Sequence, residues 1–196
     1  MMKKARIIII AVACICLICG GYFFFSQNNV VSEEELTEVE KILVKDLEKN
    51  YPKTPREVVK LYNRIVKCYY GEEMDDEQLS KMVDQMLVLL DEDLLLINPR
   101  EEYYDSVVLE IEEYKSQKKV IVSTDVCDSN DVQYVDDKKD GETEIDKLAY
   151  VNTSYFINTD GKFANTYQQF VLRQDEDGRW KILTFYEVEG ESSEDE

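Results

Sequence analysis

The sequence contains no histidine, and that absence removes more chemistry than any motif in it adds. Without imidazole there is no Ser-His-Asp or Cys-His nucleophile pair, no histidine proton shuttle and no His-ligated metal. Glycine is scarce as well: seven residues, of which only Gly20 and Gly21 are adjacent, inside an apolar run, so no glycine-rich phosphate loop can form. Cations are few, 23 Lys and Arg against 42 Asp and Glu, a net charge of −19. Nucleic-acid binding, which needs a basic face to displace counterions, is excluded by that balance. Cysteine is too thin for a disulfide scaffold. Three of five (Cys14, Cys16, Cys19) lie in one apolar run, and Cys68 and Cys127 are expected as free buried thiols.

What is present divides sharply along the chain. Residues 1–26 hold Lys3, Lys4 and Arg6 and no acid, so residues 27–196 carry 20 basic against 42 acidic residues, or −22. Residues 7–25, IIIIAVACICLICGGYFFF, form a 19-residue stretch without a charge. As a helix it would be roughly 28 Å long, near the hydrocarbon thickness of a bilayer. The flanking cations predict a single-pass anchor with its N-terminus in the cytoplasm and the rest extracytoplasmic, the membrane then being the chain's first partner. A cleaved signal peptide and a lipidated cysteine stay open as alternatives, although the run ends in three Phe, Cys16 and Cys19 follow Ile residues, and Cys14 has only a stub of apolar chain before it.

Residues 27–53 read as an exit segment and stalk helix. Ser32 and Glu35 form a capping box, and Leu36, Val39, Leu43 and Leu47 form one apolar stripe. Residues 54–188 read as the folded domain, 189–196 as a disordered acidic tail. Thr54-Pro55-Arg56-Glu57 places a cap, a helix-starting proline and a reciprocal glutamate, and Asn98-Pro99-Arg100-Glu101 repeats the pattern. About three helices are expected: one carrying Val58, Leu61, Ile65 and Tyr69, one from Asp76 through Leu90, and one presenting Tyr103, Val107, Ile111 and Tyr114. Asp91-Glu92-Asp93 is a candidate interruption before the apolar Leu94–Ile97 run.

From Lys119 the apolar period shifts to two. Alternation places Val120, Val122, Thr124 and Val126 on one face, and Trp180, Ile182, Thr184 and Tyr186 on one face of the last strand, covered by the Val58/Leu61/Ile65 side of the first helix. Three long strands, Lys147–Ile157, Phe163–Arg173 and Trp180–Val188, are joined by Asp-Gly-bearing hairpin loops. With Lys119–Val126 they make a sheet of four or so strands; the polar stretch Asp128–Glu144 is a loop, with Val132–Val135 a candidate short strand inside it. The fold class expected is α+β, helices on one face of an antiparallel sheet.

Helices followed by long strands, with the closing strand Gly178-Arg179-Trp180-Lys181-Ile182-Leu183, resemble the cone-shaped nuclear transport factor 2-like (cystatin-like) superfamily. The Tyr51–Val59 stretch, YPKTPREVV, is similar to the entry of a family of small single-pass surface proteins of Gram-positive bacteria whose function is unknown. The first resemblance implies a curved sheet with a pocket between sheet and helices, and no particular reaction. Enzymes of that superfamily carry a carboxylate and a tyrosine in the pocket. Here Tyr155, Tyr167 and Tyr186 fall within strands, while the long strands lack an inward acid before Glu187.

Of the acidic clusters, the one starting at Asp136 fails as a calcium loop, because Lys138 and Lys147 stand at ligand positions three and twelve. No metal or cofactor is expected. One feature runs against the global charge: Arg56, Lys60, Arg64 and Lys67 fall within about 80° of one helix face at about 100° per residue. They are the candidate binding stripe for an anionic partner; the competing reading pairs them with stalk acids such as Glu34, Glu38 and Asp46. The expected function is a non-catalytic ligand-binding or protein-interaction module, its partner a small apolar molecule or an envelope protein. The alternatives are a small-molecule enzyme in the same pocket and a structural subunit of an envelope complex.

Overall fold

A computed structural model describes residues 36–138 and 145–190. The chain divides into two compact units, residues 1–37 and 38–196, and the fold below is that of the second. Five helices precede five strands among the described residues: α1 (Glu38–Leu43), α2 (Pro55–Gly71), α3 (Asp76–Leu87), α4 (Glu92–Ile97), α5 (Arg100–Ser116), β1 (Lys119–Val126), β2 (Gln133–Asp137), β3 (Asp146–Thr159), β4 (Lys162–Gln174) and β5 (Trp180–Val188). The fold class is α+β, with one five-stranded antiparallel sheet.

This corrects the expected class in three respects. The expected three helices of the domain are four, because the middle helix ends at Leu87 and Asp91 caps a short new one, accepting from the Asp93 amide at 3.0 Å; the helix expected in the stalk is α1, and it spans only Glu38–Leu43. The expected four or so strands are five, the candidate short strand at Val132–Val135 forming as β2: β1 and β2 both pair with β3, β1 along Thr153–Thr159 and β2 along Asp146–Tyr150. Finally, the single-pass membrane architecture is not part of this fold. No helix among the described residues is long and apolar enough to cross a membrane, and the run at 7–25 lies outside them. The Ser32–Glu35 capping box and the acidic tail beyond residue 190 lie outside them too.

The helices start where their local chemistry dictates. At α2 the Thr54 hydroxyl accepts from the Glu57 amide at 3.2 Å, while the Glu57 carboxylate accepts from the amides of Thr54 and Lys53 at 3.1 and 2.9 Å. At α3 Asp75 and Gln78 exchange the same pair of bonds, at 2.8 and 3.1 Å. The box expected at Asn98 does not form. That side chain turns back and donates to the Leu94 carbonyl at 2.9 Å, closing α4, so α5 begins after Pro99 without a side-chain cap.

The sheet buries one face against α2. Ala149, Val151, Thr153, Tyr155 and Ile157 alternate inward along β3, opposite Leu172, Phe170, Gln168, Thr166 and Ala164 of β4. Val58, Val59, Leu61 and Ile65 of α2 join Met82, Val83 and Met86 of α3 in the same core with Phe170, Leu172 and Ile182. Asp160 (φ 49°) and Gly161 (φ 85°) turn β3 into β4 in the positive-φ pair that a two-residue hairpin with right-handed strand twist requires.

Two bulges break the simple alternation. In β1 the register slips between Ile121 and Ser123, so Ile121, Thr124 and Val126 face the core side while Val120 and Val122 are 44% and 45% exposed. In β5 the register slips against Val171/Leu172: Trp180 and Ile182 are buried, but Phe185 then takes the inward position, packing on Phe170 and Tyr62 at ring distances of 5.2 and 5.7 Å. Thr184 and Tyr186, expected beside Trp180, are on the other face. One inserted residue flips every later side chain, which is why strict alternation fails beyond each bulge.

Candidate functional site

The inward turn of Phe185 closes one wall of a pocket of about 260 Å³ between the sheet and helices α2 and α5. Helix α2 supplies Tyr62, Val66 and Tyr70, which point the same way because they stand four residues apart. Helix α5 supplies Glu110 and Tyr114 on the same principle. The floor is Ile121 of β1 with Tyr155 and Ile157 of β3, a small apolar cluster beside the main core. Thr166 and Gln168 of β4 and Glu187 of β5 complete the rim, with Lys119 at the start of β1.

The aromatic groups are tied down. Tyr70 and Tyr114 stack with ring centroids 3.8 Å apart and planes 13° from parallel, locking α2 to α5. The Tyr70 hydroxyl donates to Glu110 Oε2 at 2.5 Å. Tyr155 donates to buried Asn63 Oδ1 at 2.7 Å; Asn63 in turn donates to Thr153 Oγ1 at 3.0 Å, and Thr153 to the Asp125 carbonyl at 2.8 Å. Burial pushes the hydroxyls of Tyr62, Tyr70 and Tyr155 well above the usual phenol range, with the bond to Glu110 adding to the shift at Tyr70. All three are therefore protonated at neutral pH and act as rings and donors, not as phenolates.

The basic stripe is placed elsewhere. Arg56 Nε donates to the Cys127 carbonyl at 2.6 Å, its Nη2 to the Val126 carbonyl at 3.3 Å, and an ion pair to Asp128 spans 3.6 Å. Arg64 Nε donates to Glu38 Oε1 at 2.6 Å. Lys67 Nζ donates at 3.4 Å to the carbonyl of Val122, the residue extruded by the β1 bulge. Lys60 is exposed and has no partner among the described residues. Three of the four cations thus tie α2 to neighbouring elements of the same domain.

Of the strand tyrosines, Tyr155 reaches the pocket. Tyr186 lies on the opposite face, donating to Gln169, whose amide donates to Asn152 at 2.9 Å. Tyr167 borders a second, more open depression of about 760 Å³, lined by polar groups such as Asp125, Asn130, Asp131 and Asn152. There Gly190 packs so closely on the Tyr167 ring that a Cβ would come within 2.2 Å of it. Sequence reasoning missed Glu110. The signal existed: Tyr103, Val107, Glu110 and Tyr114 repeat at four, three and four, setting one carboxylate in the aromatic stripe that faces the sheet. Cys68 and Cys127 are both free, Cys68 buried with its thiol pushed up to about 11 by burial.

A family model described as Domain of unknown function (DUF6715) matches residues 1–185. The chain belongs to that family. The match covers every residue that lines the pocket except Glu187, which lies beyond its end at Phe185. No curated protein matches the chain significantly.

Proposed function

We propose that the domain is a non-catalytic small-molecule binding module whose site is the tyrosine-lined pocket between α2, α5 and the sheet. The observation that carries this reading is the convergence of Tyr62, Tyr70, Tyr114, Tyr155 and Phe185 from four separate elements around one cavity. An aromatic wall with a polar rim of Glu110, Lys119, Thr166, Gln168 and Glu187, two of its tyrosines held by hydrogen bonds to the chain itself, is the arrangement of a preformed ligand site. A long helix laid on an antiparallel sheet, with a pocket between them, also supports kinship with the nuclear transport factor 2-like superfamily.

A second reading, an enzyme in the same pocket, is favoured by one contact: Glu110 accepts from Tyr70 beside the cavity, where a carboxylate can take a substrate proton.

The binding reading is tested with 3,3-dimethyl-1-butanol as a neutral branched probe, by saturation-transfer NMR on the full chain. Transfer to the probe is expected with the wild type and is lost in Thr166→Trp, whose indole fills the cavity from β4. Equal transfer in both proteins would overturn the assignment of the site.

A further inference from the structure

Resting on the pocket reading above, we propose that the ligand is a small organic cation, an alkylated or quaternary ammonium, held against the tyrosine rings and balanced by Glu110 and Glu187. The face of an aromatic ring carries negative potential and attracts a cation within about 6 Å of its centre. This pocket already contains one such contact. The Lys119 ammonium stands 4.4 Å over the Tyr114 ring, and it has no ion pair among the described residues. In a chain with a large excess of carboxylates, this cation rests on an aromatic face at the rim of the cavity.

The charges and donors of the lining point the same way. Two carboxylates, Glu110 and Glu187, face one lysine. Glu110 accepts the Tyr70 hydrogen bond on Oε2, while the Glu187 carboxylate has no hydrogen-bond partner among the described residues. An anion would meet the two carboxylates, and the hydroxyls of Tyr70 and Tyr155 are already committed to Glu110 and Asn63. A neutral apolar ligand would leave the two rim carboxylates without a role. A cavity of about 260 Å³ suits a ligand of choline's size. Lys119 then acts as a tethered competitor: it occupies the Tyr114 face until an external cation displaces it.

The experiment titrates choline chloride and its uncharged carbon isostere, 3,3-dimethyl-1-butanol, into the full chain by calorimetry. Choline is expected to bind about tenfold tighter than the isostere, the size of a partly desolvated cation–ring contact. Glu110→Gln and Glu187→Gln weaken choline several-fold and leave the isostere unchanged. Lys119→Gln tightens choline, because it removes both a like charge and a competitor. Equal affinity for the two probes overturns the cation assignment and leaves the pocket reading standing. Binding of neither overturns both. Weaker choline binding in Lys119→Gln, with an unchanged thermal melt, also overturns the cation assignment. The wild-type comparison needs no variant, so a misfolded mutant does not spoil the test.

Discussion

Arg173 of β4 reaches across β5 and holds the carboxylate of Asp91 in a two-bonded fork, Nε donating to Oδ2 at 3.0 Å and Nη2 to Oδ1. The two side chains are 16% and 5% exposed. Asp93 takes a further bond from the same guanidinium at 2.8 Å. Asp91 also joins the far edge of β5, its amide donating to the Ile182 carbonyl at 2.9 Å while the Ile182 amide donates to Leu89 at 2.8 Å. That covers part of an otherwise open sheet edge. The pair thus sews the α3–α4 junction to the sheet.

Removing one partner leaves a buried charge, so Arg173→Met is expected to cost about 3–5 kcal/mol. Adding Asp91→Asn, which keeps an acceptor at the α4 cap but removes the charge, should return part of that loss. Urea midpoints of the two variants measure it; a double variant no more stable than the single one would show that the uncompensated charge is not the cause.

Asn63 is the hinge of the buried polar chain from Tyr155 to Thr153. Asn63→Leu has a similar volume and leaves the Tyr155 hydroxyl without its acceptor. The expected loss is about 1–3 kcal/mol, the cost of an unsatisfied buried polar group. Thermal melts of Asn63→Leu and of Asn63→Leu with Tyr155→Phe check it, the second losing less because the orphaned hydroxyl is gone.

Tyr62, Tyr69, Tyr70, Tyr103 and Tyr155 all have hydroxyls raised by burial above their unfolded value near 10. Their contribution to stability is whole below pH 10. Above it the unfolded chain releases protons that the folded chain keeps, so stability falls as pH rises, by about 1.4 kcal/mol per pH unit for each tyrosine not yet ionised in the fold. A steep alkaline unfolding just above pH 10 is expected, with ellipticity lost together with a cooperative rise in phenolate absorbance. Gradual tyrosine titration with the fold intact would contradict the burial.

Arg56 and Lys60 sit one turn apart on α2 and should behave differently. Arg56→Gln breaks the bonds to the Val126 and Cys127 carbonyls at the end of β1 and is expected to destabilise by about 1–3 kcal/mol. Lys60→Gln should stay within about 0.5 kcal/mol of wild type. Chemical denaturation of the two proteins separates them, and equal effects would mean that the Arg56 contacts carry no stability.

Local chemistry was legible where one stretch of chain suffices. Thr54, Pro55 and Glu57 announce α2 within four residues, and Asp160-Gly161 announces the β3–β4 turn, because capping and turn geometry involve only near neighbours. The candidate site was legible in part. Tyr155 was expected in a strand and is in the pocket, whereas Tyr186, nominated on the same grounds, is on the opposite face. The difference is the β5 bulge, and a bulge is a mismatch between two strands that neither one carries alone.

By itself, then, the sequence determined the α+β class, the start of α2, the hairpins, the apolar stripes and the exclusion of histidine chemistry, since composition and short-range spacing suffice for each. The tertiary structure decided which tyrosines meet, that Glu110 stands among them, that Phe185 turns inward, and that three cations of α2 bind the chain itself. Those outcomes depend on cross-strand register and on how a helix rolls on a sheet. Both are set by contacts between residues distant along the chain, so no local window contains them.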